Sequence, residues 1–169
     1  TDVIILPTRD RNRSPNIPTP ASVSKMRQML HMYVTDIAVM YNGVEFHSFE
    51  HASHVVLASN QLLKSMCKRR DNEDDAAIFE RTFGLSEDPL SRFALIFAAL
   101  CHDVGHSGVP NSQLVVEEAE VALEYKNKSV AEQNAFVLAW KLLLQDKYRH
   151  LRSKIYKTNV ERKRFRQVV

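Results

Sequence analysis

Four of the seven histidines in this chain fall in two short strings, and a fifth lies beside the first. The strings are His47-Ser48-Phe49-Glu50-His51, with His54 just beyond it, and His102-Asp103-Val104-Gly105-His106-Ser107-Gly108-Val109-Pro110-Asn111. Imidazole and carboxylate are the side chains that hold zinc and other divalent ions, and water bound to such an ion loses its proton near neutral pH. The pattern therefore points to a metal-dependent hydrolase. On a helix, residues four apart share a face, so His47 and His51 can look into one site. His102 and Asp103 close a long apolar run, where a charged pair at a buried helix end is costly unless it has a partner. A metal ion is the partner that best offsets that cost. Neighbours on a regular helix point about 100° apart, so both can reach one ion only where the helix ends. Gly105 and Gly108 supply that ending, and His106 returns four residues after His102 as a further imidazole.

The elements that must position these groups read as helices throughout. Thr19-Pro20 places a capping side chain before a proline at the first helical position. Val23, Met26, Met29, Leu30, Tyr33, Ile37 and Tyr41 then recur at helical spacing up to Asn42-Gly43. A second helical pattern runs from about Ser48 to Lys68, followed by a charged connection to Asp75 and a short helix from Ala76 to Phe83 that stops at Gly84. Ser86-Glu87-Asp88-Pro89 announces the next helix. Its segment Phe93 to Cys101 is apolar on all sides, which predicts a central, buried element. Beyond the glycine loop, Asn111 to Tyr125 and Ser129 to Gln145 read as two more helices, with Phe136 and Trp140 as core residues. Four glycines, few alternating runs and no hairpin signal argue against a sheet, so the expected fold is all-α, a multi-helix bundle.

At 169 residues and 44% hydrophobic composition the chain is one domain's worth of sequence. Residues 1–20 carry four of the six prolines and read as an extended lead-in, which leaves 21–169 as the helical portion. A net charge of +3 is too mild to imply nucleic-acid binding. Arg162-Lys163-Arg164-Phe165-Arg166 reads as a solvated helix face. Cys67 and Cys101 have no metal-type spacing, and neither a signal peptide nor a membrane span is legible. The ending at Glu161–Val169 looks like the opening of a helix, so the chain is expected to be a piece of something longer. Helices such as the one carrying Phe97 and Leu100 would then leave apolar surface uncovered.

The string His-x-x-Glu-His at 47–51 also fits the inverzincin protease signature, but that reading leaves the second string without a role. A different resemblance uses both. Phe46-His47-Ser48-Phe49-Glu50-His51-Ala52-Ser53-His54-Val55 resembles the Tyr-His-Asn-x-x-His-Ala-x-Asp-Val signature of eukaryotic class I 3′,5′-cyclic nucleotide phosphodiesterases. His102-Asp103-x-x-His106-x-Gly108-x-x-Asn111 matches that family's second signature, and Tyr125 to Asn134 is similar to a third, Tyr-Asn-Asp-x-Ser-Val-x-Glu-Asn-His. Order and spacing agree, so the likeness runs from about Val23 to the end.

The resemblance implies the helical phosphodiesterase bundle, of the HD-domain-like type and truncated at its C-terminus, and hydrolysis of cAMP or cGMP to the 5′-monophosphate in signal transduction. It implies two divalent ions, zinc plus magnesium or manganese, with His51, His102 and Asp103 as direct ligands. His106 and Glu132 would orient the attacking water. His47 would be the general acid for the departing 3′ oxygen, and Phe46 and Asn111 would shape the substrate pocket. It also implies work in the cytoplasm, or on the cytoplasmic side of a membrane-tethered parent, with regulatory or membrane segments outside this chain. A second metal-binding aspartate and a base-gripping glutamine would lie beyond Val169, so this chain alone is expected to be poorly active. Three positions depart from the family pattern. Ser48 stands for an asparagine, His54 for an aspartate and Gly105 for a frequent aspartate. Another HD-type phosphohydrolase and a catalytically silent regulatory module stay open as alternatives.

Overall fold

The computed structural model describes residues 19–169, so the lead-in expected over 1–20 lies almost wholly outside the described residues. Among these residues every regular element is helical: α1 (Pro20–Val39), α2 (Phe49–Cys67), α3 (Asp75–Arg81), α4 (Pro89–Cys101), α5 (Asn111–Val116), α6 (Glu120–Glu124), α7 (Val130–Leu144), α8 (Arg149–Ile155) and α9 (Asn159–Val168). Short 3₁₀ turns at Leu85–Glu87 and Asp146–Tyr148 complete the order. No helix is long and apolar enough to cross a membrane among the described residues.

The local chemistry explains most boundaries. Thr19 accepts the Ser22 N–H, Ser48 the His51 N–H and Asp88 the Ser91 N–H, each satisfying an otherwise orphaned donor at the start of its helix. Ser48 thus keeps the capping oxygen that an asparagine would offer in its place. One boundary corrects the sequence reading: residues 111–125 form two helices, not one. Glu118 takes a left-handed backbone (φ 48°) and the Ala119 N–H reaches back to the Leu114 carbonyl at 3.0 Å. That is the closing bond of a helix C-cap whose left-handed position usually holds glycine. α8 escaped the sequence reading, and α9 begins before Glu161. There Thr158 and Glu161 form a capping box, each side chain bonding the other's backbone.

The core is one cluster. Tyr33 and Ile37 of α1, Phe97 and Cys101 of α4, Ala139 and Leu143 of α7, Tyr148 and Leu151 near α8, and Phe165 of α9 are buried together. α4 is central, packed by α2, α7 and α9. Phe165, fully buried, meets the rings of Phe93, Phe97, Trp140 and Tyr156 with centroids 5.3–6.2 Å apart. Burial of one such ring contributes roughly 2–3 kcal/mol. Phe97, on the helix expected to leave apolar surface uncovered, is itself only 4% exposed, because Tyr33 stacks on it and Phe165 meets it edge-on. Leu100 does face open space. With Leu30, Tyr33, Phe49, Val56 and Ile96 it lines an apolar cavity of about 380 Å³ between α1, α2 and α4.

α9 is also held by charge. Arg164 grips Asp88 through two bonds of 2.6 and 3.2 Å, and Asp88 is 3% exposed while it caps α4. Burial alone would raise the Asp88 pKa, but the Ser91 bonds and Arg164 together hold it below the ordinary carboxylate range. Arg164→Ala leaves that carboxylate buried and unpaired, so it is expected to lower unfolding free energy by about 3 kcal/mol in urea titration at pH 7. The lowered pKa makes the stabilisation present above the unfolded carboxylate value near 4 and lost as pH falls through the folded one. The gap between wild type and Arg164→Ala should therefore close in acid.

Candidate metal centre

Four separate segments build the site. The N-terminus of α2 carries His51, the connection ahead of it carries His47, the last turn of α4 runs into His102 and Asp103, and the glycine loop brings His106. α2 packs lengthwise on α4, which is why two strings about fifty residues apart in sequence meet. Asp103, 8% exposed, sits at the meeting point. Its Oδ2 is 3.0 Å from Nδ1 of His47 and 3.0 Å from Nε2 of His102. The His47 and His106 rings stack with centroids 3.6 Å apart, and His51 meets His102 at 5.5 Å.

Hydrogen bonds settle how these groups present their nitrogens. His102 Nδ1 lies 2.9 Å from the Ala99 carbonyl, an acceptor, so it carries the proton and leaves Nε2 with a lone pair. That lone pair faces the Asp103 carboxylate. Two acceptors at 3.0 Å require a cation between or beside them, either a proton or a metal ion. His106 Nδ1 accepts the Gly108 N–H at 3.0 Å, which places its own proton on Nε2. Burial, and then the neighbouring His47, hold the His106 pKa below the ordinary histidine value, while the Asp103 and Glu132 charges work against that shift.

Two donor sets follow, each with one ligand atom per residue and all such atoms within 4.8 Å of one another: His51, His102 and Asp103, and His47, Asp103 and His106. The first set offers two imidazoles and a carboxylate, the donor chemistry of a divalent zinc-type site, and fits such an ion. Asp103 belongs to both sets.

The remaining predicted residues are placed as follows. Glu132, in the first turn of α7, accepts from Asn111 Nδ2 at 2.9 Å. Asn111 Oδ1 in turn accepts the Ala131 N–H at 2.9 Å. Ser129, left-handed at φ 40°, makes no cap bond of its own, so Asn111 caps α7 from a distance of 20 residues in sequence and orients Glu132. Phe46 stands 82% exposed on a left-handed backbone (φ 66°), a conformation that an aromatic residue adopts only under constraint. His54 is exposed on the surface of α2. Gly105 also has positive φ (70°), and a Cβ there would come 2.7 Å from Leu138 Cδ1, so glycine at this departure from the pattern suits both the backbone and its neighbour. The sequence reading missed Ala99, whose carbonyl sets the His102 tautomer, and the turn Met40–Asn42, which bonds to the glycine loop.

Comparison with known proteins decides the family. The family model described as 3′5′-cyclic nucleotide phosphodiesterase matches residues 46–169. The chain belongs to this family. The family match begins at the first histidine string. A probable 3′,5′-cyclic-AMP phosphodiesterase of Caenorhabditis elegans is 31% identical over 111 residues, which is 66% of this chain and 14% of that protein. A cGMP-specific 3′,5′-cyclic phosphodiesterase alpha of Plasmodium falciparum is 30% identical over 122 residues, 72% of this chain and 11% of that protein. The chain thus spans a small share of the relatives it matches. Among solved structures, the phosphodiesterase domain of Salpingoeca rosetta rhodopsin phosphodiesterase aligns with a TM-score of 0.63 at 26% identity, covering 83% of this chain and 37% of that one. The helical architecture is therefore that of a phosphodiesterase catalytic domain, and the His/Asp cluster lies within the matched span.

Proposed function

We propose that the protein carrying this sequence hydrolyses 3′,5′-cyclic nucleotides to 5′-monophosphates at the His/Asp centre. The observation that carries this reading is the single Asp103 oxygen held 3.0 Å from both His47 Nδ1 and His102 Nε2. It joins a candidate acid to a candidate metal ligand in one site. Family membership supplies the substrate class, and the relatives named for cAMP and for cGMP leave the base open.

His51, His102 and Asp103 would hold zinc, and Asp103 would be shared with a second ion, magnesium or manganese. When bound, the ions would supply charge neutralisation of the phosphodiester and a nucleophile competent at neutral pH. The chain's own groups do the rest. His47 donates from Nδ1 to Asp103, which leaves Nε2 as the atom that hands a proton on. Water adds to phosphorus and gives up a proton to solvent, the P–O3′ bond breaks, and the 3′ oxygen departs with the proton from His47 instead of as a strongly basic alkoxide. His106 Nε2–H and the Glu132 carboxylate, the latter steadied by Asn111, orient that water. Phe46 and Asn111 flank the substrate pocket. Two unpaired cysteines, Cys67 and Cys101, suit work in the cytoplasm or on the cytoplasmic face of a membrane.

The test is product analysis. The purified full-length protein that carries this sequence, stripped with chelator and then reloaded with zinc and magnesium, is offered cAMP and cGMP. Appearance of 5′-monophosphate only after reloading supports the reading. No turnover of either nucleotide by the reloaded protein, with bound metal verified, would contradict it.

A further inference from the structure

The turn after α1 lies outside both histidine strings, yet it bonds to the second at two places and to the end of α4 at a third. The Gly105 N–H donates to the Met40 carbonyl at 3.0 Å. Asn42 Nδ2 donates to the His106 carbonyl at 2.8 Å, and Tyr41 Oη donates to the Leu100 carbonyl at 2.7 Å. These contacts fall on both sides of His102 and Asp103. Beyond the turn, Val44 lies against Gly108, where a Cβ would come 3.2 Å from Val44 Cγ1. The Tyr41 ring also meets Phe49, the first residue of α2, with centroids 5.7 Å apart. One short segment therefore touches both elements that deliver the donor atoms.

The loop needs such a restraint. Gly105 and Gly108 both have positive φ, 70° and 80°, and glycine contributes no side chain to hold that conformation. The Leu100 carbonyl stands in the last turn of α4, where helix carbonyls lack an intrahelical donor, and the His106 carbonyl lies in the loop between α4 and α5, outside any helix. Tyr41 and Asn42 are the donors they meet. An ion-binding set tolerates little drift in its ligands, so bonds that fix the ligand backbone govern affinity without touching the ion.

We infer that the Met40–Asn42 turn is the positioning element of the metal loop, with Tyr41 and Asn42 as positioning residues that set divalent-metal affinity through the backbone of residues 100–106. This rests on the metal-centre reading above.

The experiment titrates zinc alone into the full 169-residue chain by calorimetry, for wild type, Asn42→Ala, Tyr41→Phe and the ligand variant His51→Ala. Apo thermal midpoints are recorded in chelator alongside. Asn42 is exposed and Tyr41→Phe keeps the ring, so both variants should fold. The expected result is a fall in zinc affinity of about tenfold for Asn42→Ala, within the ~10–100-fold range for groups that support metal ligands, with a smaller fall for Tyr41→Phe and near-constant apo midpoints. Affinity within twofold of wild type for both variants would overturn the inference. So would a loss of affinity matched by a large drop in apo midpoint, which would make the turn merely structural. Wild-type binding that His51→Ala leaves unchanged would instead sink the metal-centre reading, and the inference with it.

Discussion

Asp103→Ala is expected to strip the centre of divalent metal and take cyclic nucleotide hydrolysis to background. Asp103 is the one residue common to both donor sets, and its Oδ2 answers His47 and His102 together. Loss of even a supporting group around a metal typically costs 10–100-fold in affinity, so removal of a shared carboxylate ligand should cost at least about 100-fold. The helical fold should survive, because the side chain contributes no part of the apolar core and its loss relieves a charge at a nearly buried position. Elemental analysis, far-ultraviolet circular dichroism and a hydrolysis assay on the same preparation check the three parts. Retained metal with lost turnover would mean that Asp103 serves the chemistry and not the ion.

His47→Ala should separate the other way. His47 bonds the Asp103 carboxylate and stacks on His106, but it lies outside the His51, His102 and Asp103 set. Its removal should leave zinc content near the wild-type value while turnover of cyclic nucleotide falls by about 10²–10⁴-fold, the usual worth of a positioned general acid. The defect has a chemical signature as well. A phosphodiester whose leaving group is a nitrophenolate needs no proton to depart, so His47→Ala should be impaired far less on that substrate than on cAMP. An equal loss on both substrates, or loss of zinc, would show that His47 is a ligand or a scaffold residue.

The fold was largely legible because the helices announce themselves with caps and apolar spacing. Thr19-Pro20, Ser48 and Asp88-Pro89 each start a helix where the sequence places them. The split at Glu118 was hidden because a glutamate occupies a left-handed cap, a position read from sequence only when glycine or asparagine stands there. The two histidine strings named the residues that gather at the centre, since imidazoles and a carboxylate at the end of an apolar helix have few other reasons to be there. What spacing could not reveal was the backbone around them. The Ala99 carbonyl that fixes the His102 tautomer and the Met40–Asn42 turn that holds the glycine loop act through main-chain atoms, and neither residue type advertises that role. Asn111 illustrates the same limit. Its motif position was plain, but its bonds to the α7 N-terminus and to Glu132 depend on a helix contact that only the fold supplies.

X-ray absorption at the zinc edge of the zinc-loaded protein reads the ligand atoms themselves. The expected first shell contains two imidazole nitrogens at about 2.0–2.1 Å and carboxylate oxygen at about 2.0–2.2 Å, with one imidazole signature lost in His51→Ala and another in His102→Ala. A shell containing thiolate sulfur at about 2.3 Å, or one unchanged by both substitutions, would place the ion elsewhere and contradict the assignment of a metal centre at His51, His102 and Asp103.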